Sequence, residues 1–239
     1  MKPMPLVFLG FVGTACGFGE VLSAPPASPD LSKWYVFYLH GAIVSGSDGR
    51  PVSKEFGPYE YRAILKRFVD DGFVVISEIR PNDDDPSRYA EQVAGWIVQL
   101  RASGVPSAHI SVVGASIGGV IAAHVSALLD DRDLRFVILA GLFDEAAERS
   151  LVLHGRLLSI HDETDTHRIV PDAYFRRSAL SASRSIVTKT GLGHGLIYTA
   201  HSAWYDATMD WITGGNTRPR RSPDPKSSSA PPPAGQKLR

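Results

Sequence analysis

Between residues 31 and 214, near-continuous apolar runs alternate with stretches whose apolar residues recur at helical spacing. The runs "WYVFYL" (34–39), "FVVISEI" (73–79), "ISVVGA" (110–115), "RFVILAG" (135–141), "RLLSIH" (156–161) and "RSIVTK" (184–189) have the character of strands buried on both faces. Between them, "YEYRAILKRFVDD", "SRYAEQVAGWIVQLRASG" and "IGGVIAAHVSALLDD" read as helices. In the second, Tyr89, Val93, Trp96, Ile97 and Leu100 share one face, and Gly104 with Pro106 ends it. A last helix is expected to turn Ala200, Trp204, Ala207, Trp211 and Ile212 inward.

Strand, helix, strand, helix implies crossover connections, hence an α/β fold: a mainly parallel, doubly wound sheet with helices on both faces. Ligands of such sheets bind at the C-terminal ends of the strands, so function is sought in the residues that follow each strand. The pattern fades at both ends of the chain. Residues 215–239 are rich in Pro, Ser and basic side chains and lack apolar periodicity, which predicts a disordered tail. Residues 25–30 read as a Pro-rich linker, and residues 31–214 as one folded domain.

The N-terminus carries a lysine, a short apolar run and then small residues, the layout of a secretory signal peptide over residues 1–24. Two processing points compete: after Ala24, where Pro25 is unfavourable, and before Cys16 in "GTAC", which resembles a lipobox and would make Cys16 a lipid anchor. The alternative is an N-terminal extension or a buried first segment. The expected location is secreted or periplasmic, or cytoplasmic if this segment is no signal. The apolar run is too short to read as a membrane-spanning helix.

Composition excludes more than it selects. The 239 residues include 44% apolar and 21% charged side chains, as in ordinary soluble domains. With 25 Lys and Arg against 25 Asp and Glu, no net charge points to nucleic acid or an anionic surface as partner. One cysteine leaves no pair for a disulfide or a zinc site.

Chemistry gathers at the strand ends. "HGA" (40–42) follows the first strand, "GASIGG" (114–119) the third, "HDETD" (161–165) the fifth and "TGLGHG" (190–195) the sixth. A serine, an acid and a histidine therefore fall at one sheet edge in the chain order Ser, Asp, His. On these residues the chain resembles the α/β-hydrolase superfamily over residues 31–214. "GASIG" matches the G-x-S-x-G nucleophile elbow, and "HGA" resembles the oxyanion loop. "HDETD" resembles the acid turn, with Asp162 where relatives carry glycine, and "GHG" resembles the histidine turn. Each motif is short, and their order on the right strand ends carries the signal.

The resemblance implies a serine hydrolase acting on a small acyl substrate, carboxylesterase-like, with Ser116 as nucleophile, His194 as base and no cofactor. Ile117 N–H and, by resemblance, Ala42 N–H would form the oxyanion hole. Aligning His161 with the family's histidine puts the acid at Asp165, with Asp162 the alternative. Gly114 and Gly118 would remove side chains that collide where strand and helix nearly touch. Thioesterase or peptidase/amidase chemistry on the same triad, or a non-catalytic binding protein on the same fold, are the alternatives.

Other residues near this edge have less definite parts. His40, Arg80 and Tyr59 are candidate substrate contacts, although Arg80 could instead pair with the acidic run Asp83–Asp85, and Tyr59 and Tyr61 could simply begin a helix. Residues 44–61 are long for a strand-to-helix connection and could wall the pocket. Residues 142–155 are too few for a large cap, which predicts an open site. A metal on His161, Asp162, Asp165 and His167 matches no named ligand spacing, and "GASIGG" is not a dinucleotide fingerprint.

Overall fold

The computed structural model describes residues 21–82, 85–141, 150–166 and 175–215. Cys16, most of the expected leader, His167 and the tail from residue 216 lie outside the described residues, as do 142–149. A seven-stranded sheet organises the rest. Its strands are β1 (Val21–Leu22), β2 (Tyr35–Leu39), β5 (Val74–Ile76), β6 (Ile110–Ala115), β7 (Arg135–Leu139), β8 (His154–Asp162) and β9 (Ala179–Thr188), in the order β1-β5-β2-β6-β7-β8-β9. Every ladder in it is parallel. β3 (Val52–Ser53) and β4 (Gly57–Pro58) form a small antiparallel ribbon within the long connection after β2.

The chain first builds outward from β2 to β5 and then crosses to β6 on the other side. That reversal opens a crevice beyond the C-terminal ends of β2 and β6. It is here that "HGA" and "GASIGG" leave the sheet.

Alternate residues of each central strand enter two cores. Tyr35, Phe37, Val112 and Phe136 pack beneath α2 (Pro86–Ala102) and α3 (Ile117–Leu128). Val36, Tyr38, Val113 and Val137 pack against α1 (Tyr61–Asp70) and α4 (Ser202–Thr213) on the other face. The near-continuous apolar runs follow from this, since both faces of the sheet are covered. Local signals set the helix ends. Asp85 accepts from the backbone N–H groups of Ser87 and Arg88 to cap α2, with Pro86 at its first position. Gly214, at φ 68°, closes α4 in the left-handed conformation.

Two boundaries differ from expectation. The folded unit begins before residue 31: Val21 and Leu22 pair with Val75 and Ile76, and Leu22 accepts a hydrogen bond from Ser77 N–H. A two-residue edge strand adjoining a leader-like run has no periodicity of its own to betray it. In α4 the buried face is Trp204, Tyr205, Thr208, Met209 and Ile212, while Ala207 and Trp211 sit at its border. Among the described residues, no helix is long and apolar enough to cross a membrane.

The β6–α3 junction is the tightest point. A Cβ on Gly114 would lie 2.1 Å from the Gly118 carbonyl oxygen, and one on Gly118 would lie 2.0 Å from the Leu39 carbonyl oxygen. Backbone, not a movable side chain, occupies both places. Gly118→Ala is therefore expected to cost about 3 kcal/mol or more in urea unfolding. Gly95→Ala, in the exposed interior of α2 with nothing near its Cβ position, should stabilise by up to about 1 kcal/mol. Equal effects at the two sites would contradict this account of the junction.

Candidate active site

Ser116 directly follows β6 and precedes α3. Its backbone sits at φ 54° and ψ −120°, a sparsely populated region for any residue with a Cβ. The turn is over-determined by its neighbours: Ser116 N–H donates to the Leu139 carbonyl at 2.9 Å, and Gly119 N–H donates to the Ser116 carbonyl at 2.8 Å. The side chain is thereby thrust out at the C-terminal edge of the sheet.

Asp165 follows β8, and His194 lies in a 3₁₀ turn (Gly193–Tyr198) after β9. His194 Nδ1–H donates to Asp165 Oδ2 at 2.9 Å, and Ser116 Oγ–H donates to His194 Nε2 at 3.0 Å. One imidazole tautomer satisfies both bonds. Asp165 is shielded from solvent, whereas the His194 side chain keeps 13% exposure, so the chain of bonds opens to water only at its Ser116–His194 end.

Ile117 opens α3, and Ala42 opens a 3₁₀ turn (Ala42–Val44) after β2. The first N–H of a helical turn has no acceptor within its own helix, so both amides are available to a developing negative charge. The two turns adjoin, because a Cβ on Gly41 would meet Ser116 Cβ at 3.5 Å.

The three candidate substrate contacts are buried beneath the site, which corrects the expectation for each. His40 is wholly buried: its Nε2 accepts from Arg80 N–H at 3.0 Å, and its Nδ1–H donates to the Gly41 carbonyl at 2.9 Å. Burial first, and then the Arg80 charge, lower its pKa to about 4. Arg80 turns inward to the His40 carbonyl, with its guanidinium 5.5 Å from the Tyr89 ring centre. Tyr59 bonds Tyr38 hydroxyl to hydroxyl at 2.8 Å, and burial raises its pKa. Tyr61 begins α1 and bonds Ser77. These side chains brace the Ala42 turn from below. A sequence places a residue at a sheet edge but does not give its depth.

The long connection after β2 does reach the site, through Phe56. Its ring centre lies 6.3 Å from that of His194 and 5.2 Å from that of Tyr198. A Cβ on Gly195 would meet Phe56 Cδ1 at 2.9 Å, so the ribbon packs directly on the histidine turn.

Sequence reasoning understated Asp162. It is fully buried, and its carboxylate gathers the two loops that carry Asp165 and His194. Oδ1 accepts from Thr164 N–H (3.1 Å), Thr164 Oγ1 (2.6 Å) and Gly193 N–H (3.3 Å). Oδ2 accepts from Thr188 Oγ1 (2.9 Å), Thr190 N–H (2.8 Å) and Thr190 Oγ1 (2.7 Å). Burial would raise its pKa, but the bonds from Thr164 and Thr190 outweigh it and hold the group far below the usual carboxylate range. The available signal was the three threonines near it in sequence or on the adjacent strand. The considered metal cluster therefore divides: Asp162 is taken by hydroxyl and amide donors and Asp165 by His194.

The neutral burial of His40 has a consequence for stability. Its folded pKa lies below its unfolded value near 6.5, so its contribution is complete above that value and lost as pH falls toward 4. This one group should cost the native state about 3 kcal/mol over that window, and His40→Gln should flatten that part of the stability–pH curve. Denaturant titrations at stepped pH read it directly; an unchanged slope in the variant would assign the acid sensitivity elsewhere.

No family model matches the chain, and no curated protein matches it by sequence. Solved structures do match. Esterase PE8 is 18% identical with a TM-score of 0.51, covering 79% of this chain and 96% of that one. DcsB, solved in complex with its substrate analogue, is 14% identical with a TM-score of 0.55, covering 79% of this chain and 92% of that one. Both belong to the α/β-hydrolase superfamily. A parallel seven-stranded sheet, helices on both its faces and these structural neighbours together establish that the chain has the α/β-hydrolase fold.

Proposed function

We propose that the protein is a serine hydrolase that cleaves esters of small acyl substrates through an acyl-enzyme. The observation that carries this reading is the continuous hydrogen-bond chain Ser116–His194–Asp165 at the functional edge of the sheet. The esterase among its structural neighbours agrees with it. Ser116 Oγ attacks the acyl carbonyl while His194 Nε2 takes its proton. Asp165 keeps the imidazole proton on Nδ1 and stabilises the imidazolium that forms. The oxyanion is held by the N–H groups of Ala42 and Ile117, each contributing about 3–4 kcal/mol in the transition state. His194 then returns the proton to the leaving alcohol, and water, activated by the same imidazole, releases the acid.

Labelling with a fluorophosphonate probe and turnover of short p-nitrophenyl esters test the reading. Ser116→Ala should abolish both, and Asp165→Asn should lower kcat by about 10⁴ because it removes the orienting charge. Asp162→Asn should act less severely on kcat and mainly lower the melting temperature, since its carboxylate holds loops and touches no reacting atom. An unlabelled Ser116 with no ester turnover would refute the assignment.

Export is proposed for the N-terminus, to a secreted or periplasmic location. Cleavage after Ala24 would strip β1 from the sheet, whereas cleavage before Cys16 retains it. What supports the lipobox reading is therefore the pairing of Val21 and Leu22. Intact mass of the exported protein should show a mature chain that begins at a lipidated Cys16; a chain that begins at Pro25 would contradict this.

A further inference from the structure

At the opposite edge of the sheet, the first inward-facing residues of three neighbouring strands are polar. Ser111 pairs in register with Arg135, and Arg135 with Arg156. They leave the sheet on the α4 face, since Val113, Val137 and Leu158, two residues along each strand, all enter the core against that helix. Two arginines thus stand on adjacent strands, about 5 Å apart at the backbone. Among the described residues, neither has a carboxylate within ion-pair distance.

Aromatic rings flank them. The Arg135 guanidinium lies 6.0 Å from the Trp34 ring centre, and that of Arg156 lies 5.7 Å from the Trp211 ring centre. Trp34 stacks on His109 at 4.5 Å. Six buried side-chain atoms without a hydrogen-bond partner belong to these strands, to the turn before β6 and to α4: His109 Nδ1, Ser111 Oγ, Arg135 Nε, Arg156 Nε and, one turn apart on α4, Thr208 Oγ1 and Trp211 Nε1. Native proteins leave few such atoms, so a set of them marks a place suited to a polar ligand. Ser111 and Thr208 are at most 1% exposed, while both arginines and both tryptophans are half-buried, so the cluster reaches solvent.

The chemistry suited to the cluster follows from its donors. Two guanidiniums and an indole N–H can only donate, and the two hydroxyls can donate as well. Burial and then the charge of Arg156 disfavour the protonated form of Arg135, an effect that exposed Asp133 offsets only in part. Arg135 Nη1 donates to the Trp211 carbonyl at 2.6 Å, capping α4, but this uses one of its donors and leaves Arg156 and both hydroxyls unaccounted for.

We propose that this cluster binds a small oxyanion, a phosphate or carboxylate group, between Arg135 and Arg156 at the sheet edge opposite Ser116. Each guanidinium lies within cation–π reach of a tryptophan ring, and its planar fork matches oxyanion geometry. Ser111 lies near the start of β6 and Ser116 just past its end, five residues and about 16 Å away, so the site is separate from Ser116 and independent of the chemistry proposed there.

The test uses the full chain, with tryptophan fluorescence and melting temperature followed against inorganic phosphate or acetate, at ionic strength held constant with chloride. Phosphate should shift both signals at millimolar concentration. Arg156→Gln should weaken the response at least about tenfold, the loss of one charge-assisted bond pair. Thr208→Val, which preserves shape, should weaken it several-fold and carries the test if the arginine variant does not fold. Ser116→Ala should bind as the wild type does. A response to phosphate alone assigns a phosphoryl group, and a response to acetate as well assigns any oxyanion. No response beyond that of chloride, or undiminished responses in Arg156→Gln and Thr208→Val, would overturn the site.

Discussion

The close approach of β6 to α3 is the constraint on which the functional edge depends. Gly118 presses on the Leu39 carbonyl and Gly114 on the Gly118 carbonyl, so strand, turn and helix meet with no side chain between them. The turn residue must then adopt a positive φ, and Ser116 carries that strain. In return its hydroxyl is held out beyond the strand ends, next to the N-terminus of α3. Leu39 is also the last residue of β2, so the contact that shapes the elbow places the Ala42 turn as well.

Around that junction, polarity is distributed by depth. His40, Arg80, Tyr59 and Tyr38 form a buried layer whose hydrogen bonds run among themselves and to backbone. Asp162 does similar work on the far side, gathering donors from the loops of Asp165 and His194. Its charge is held by neutral donors, while the carboxylate of Asp165 makes its own bond to His194. The carboxylate at position 162 thus turns this loop into a clamp.

Much of this was legible in the sequence, and the gaps have physical causes. The strands announced themselves because burial on both faces demands continuous apolar runs, and the residues that the structure joins as Ser116–His194–Asp165 stood in order at their ends. β1 was hidden because two residues cannot show a period. The inward face of α4 was misplaced by a fraction of a turn, since Tyr205, Thr208 and Met209 are less conspicuous than Trp211 and Ala207. Depth was the larger omission. His40, Arg80 and Tyr59 sit at the correct edge, yet polar residues one layer below a site look in sequence like those that line it. The unpartnered donors around Arg135 and Arg156 become visible only when register aligns strands that are far apart in the chain.

Ser116, His194 and Asp165 hang from three different strands that are never neighbours in sequence without a crossover between them. Parallel pairings of this kind form late, because distant segments must meet before any bond repays the entropy of closure. A partly assembled sheet can hold helices and a collapsed core and still lack the constellation altogether. The reactivity proposed for the serine is consequently a report on the whole sheet: it would appear only in molecules closed from β2 through β9, and would count correctly folded copies where bulk spectroscopy averages over them.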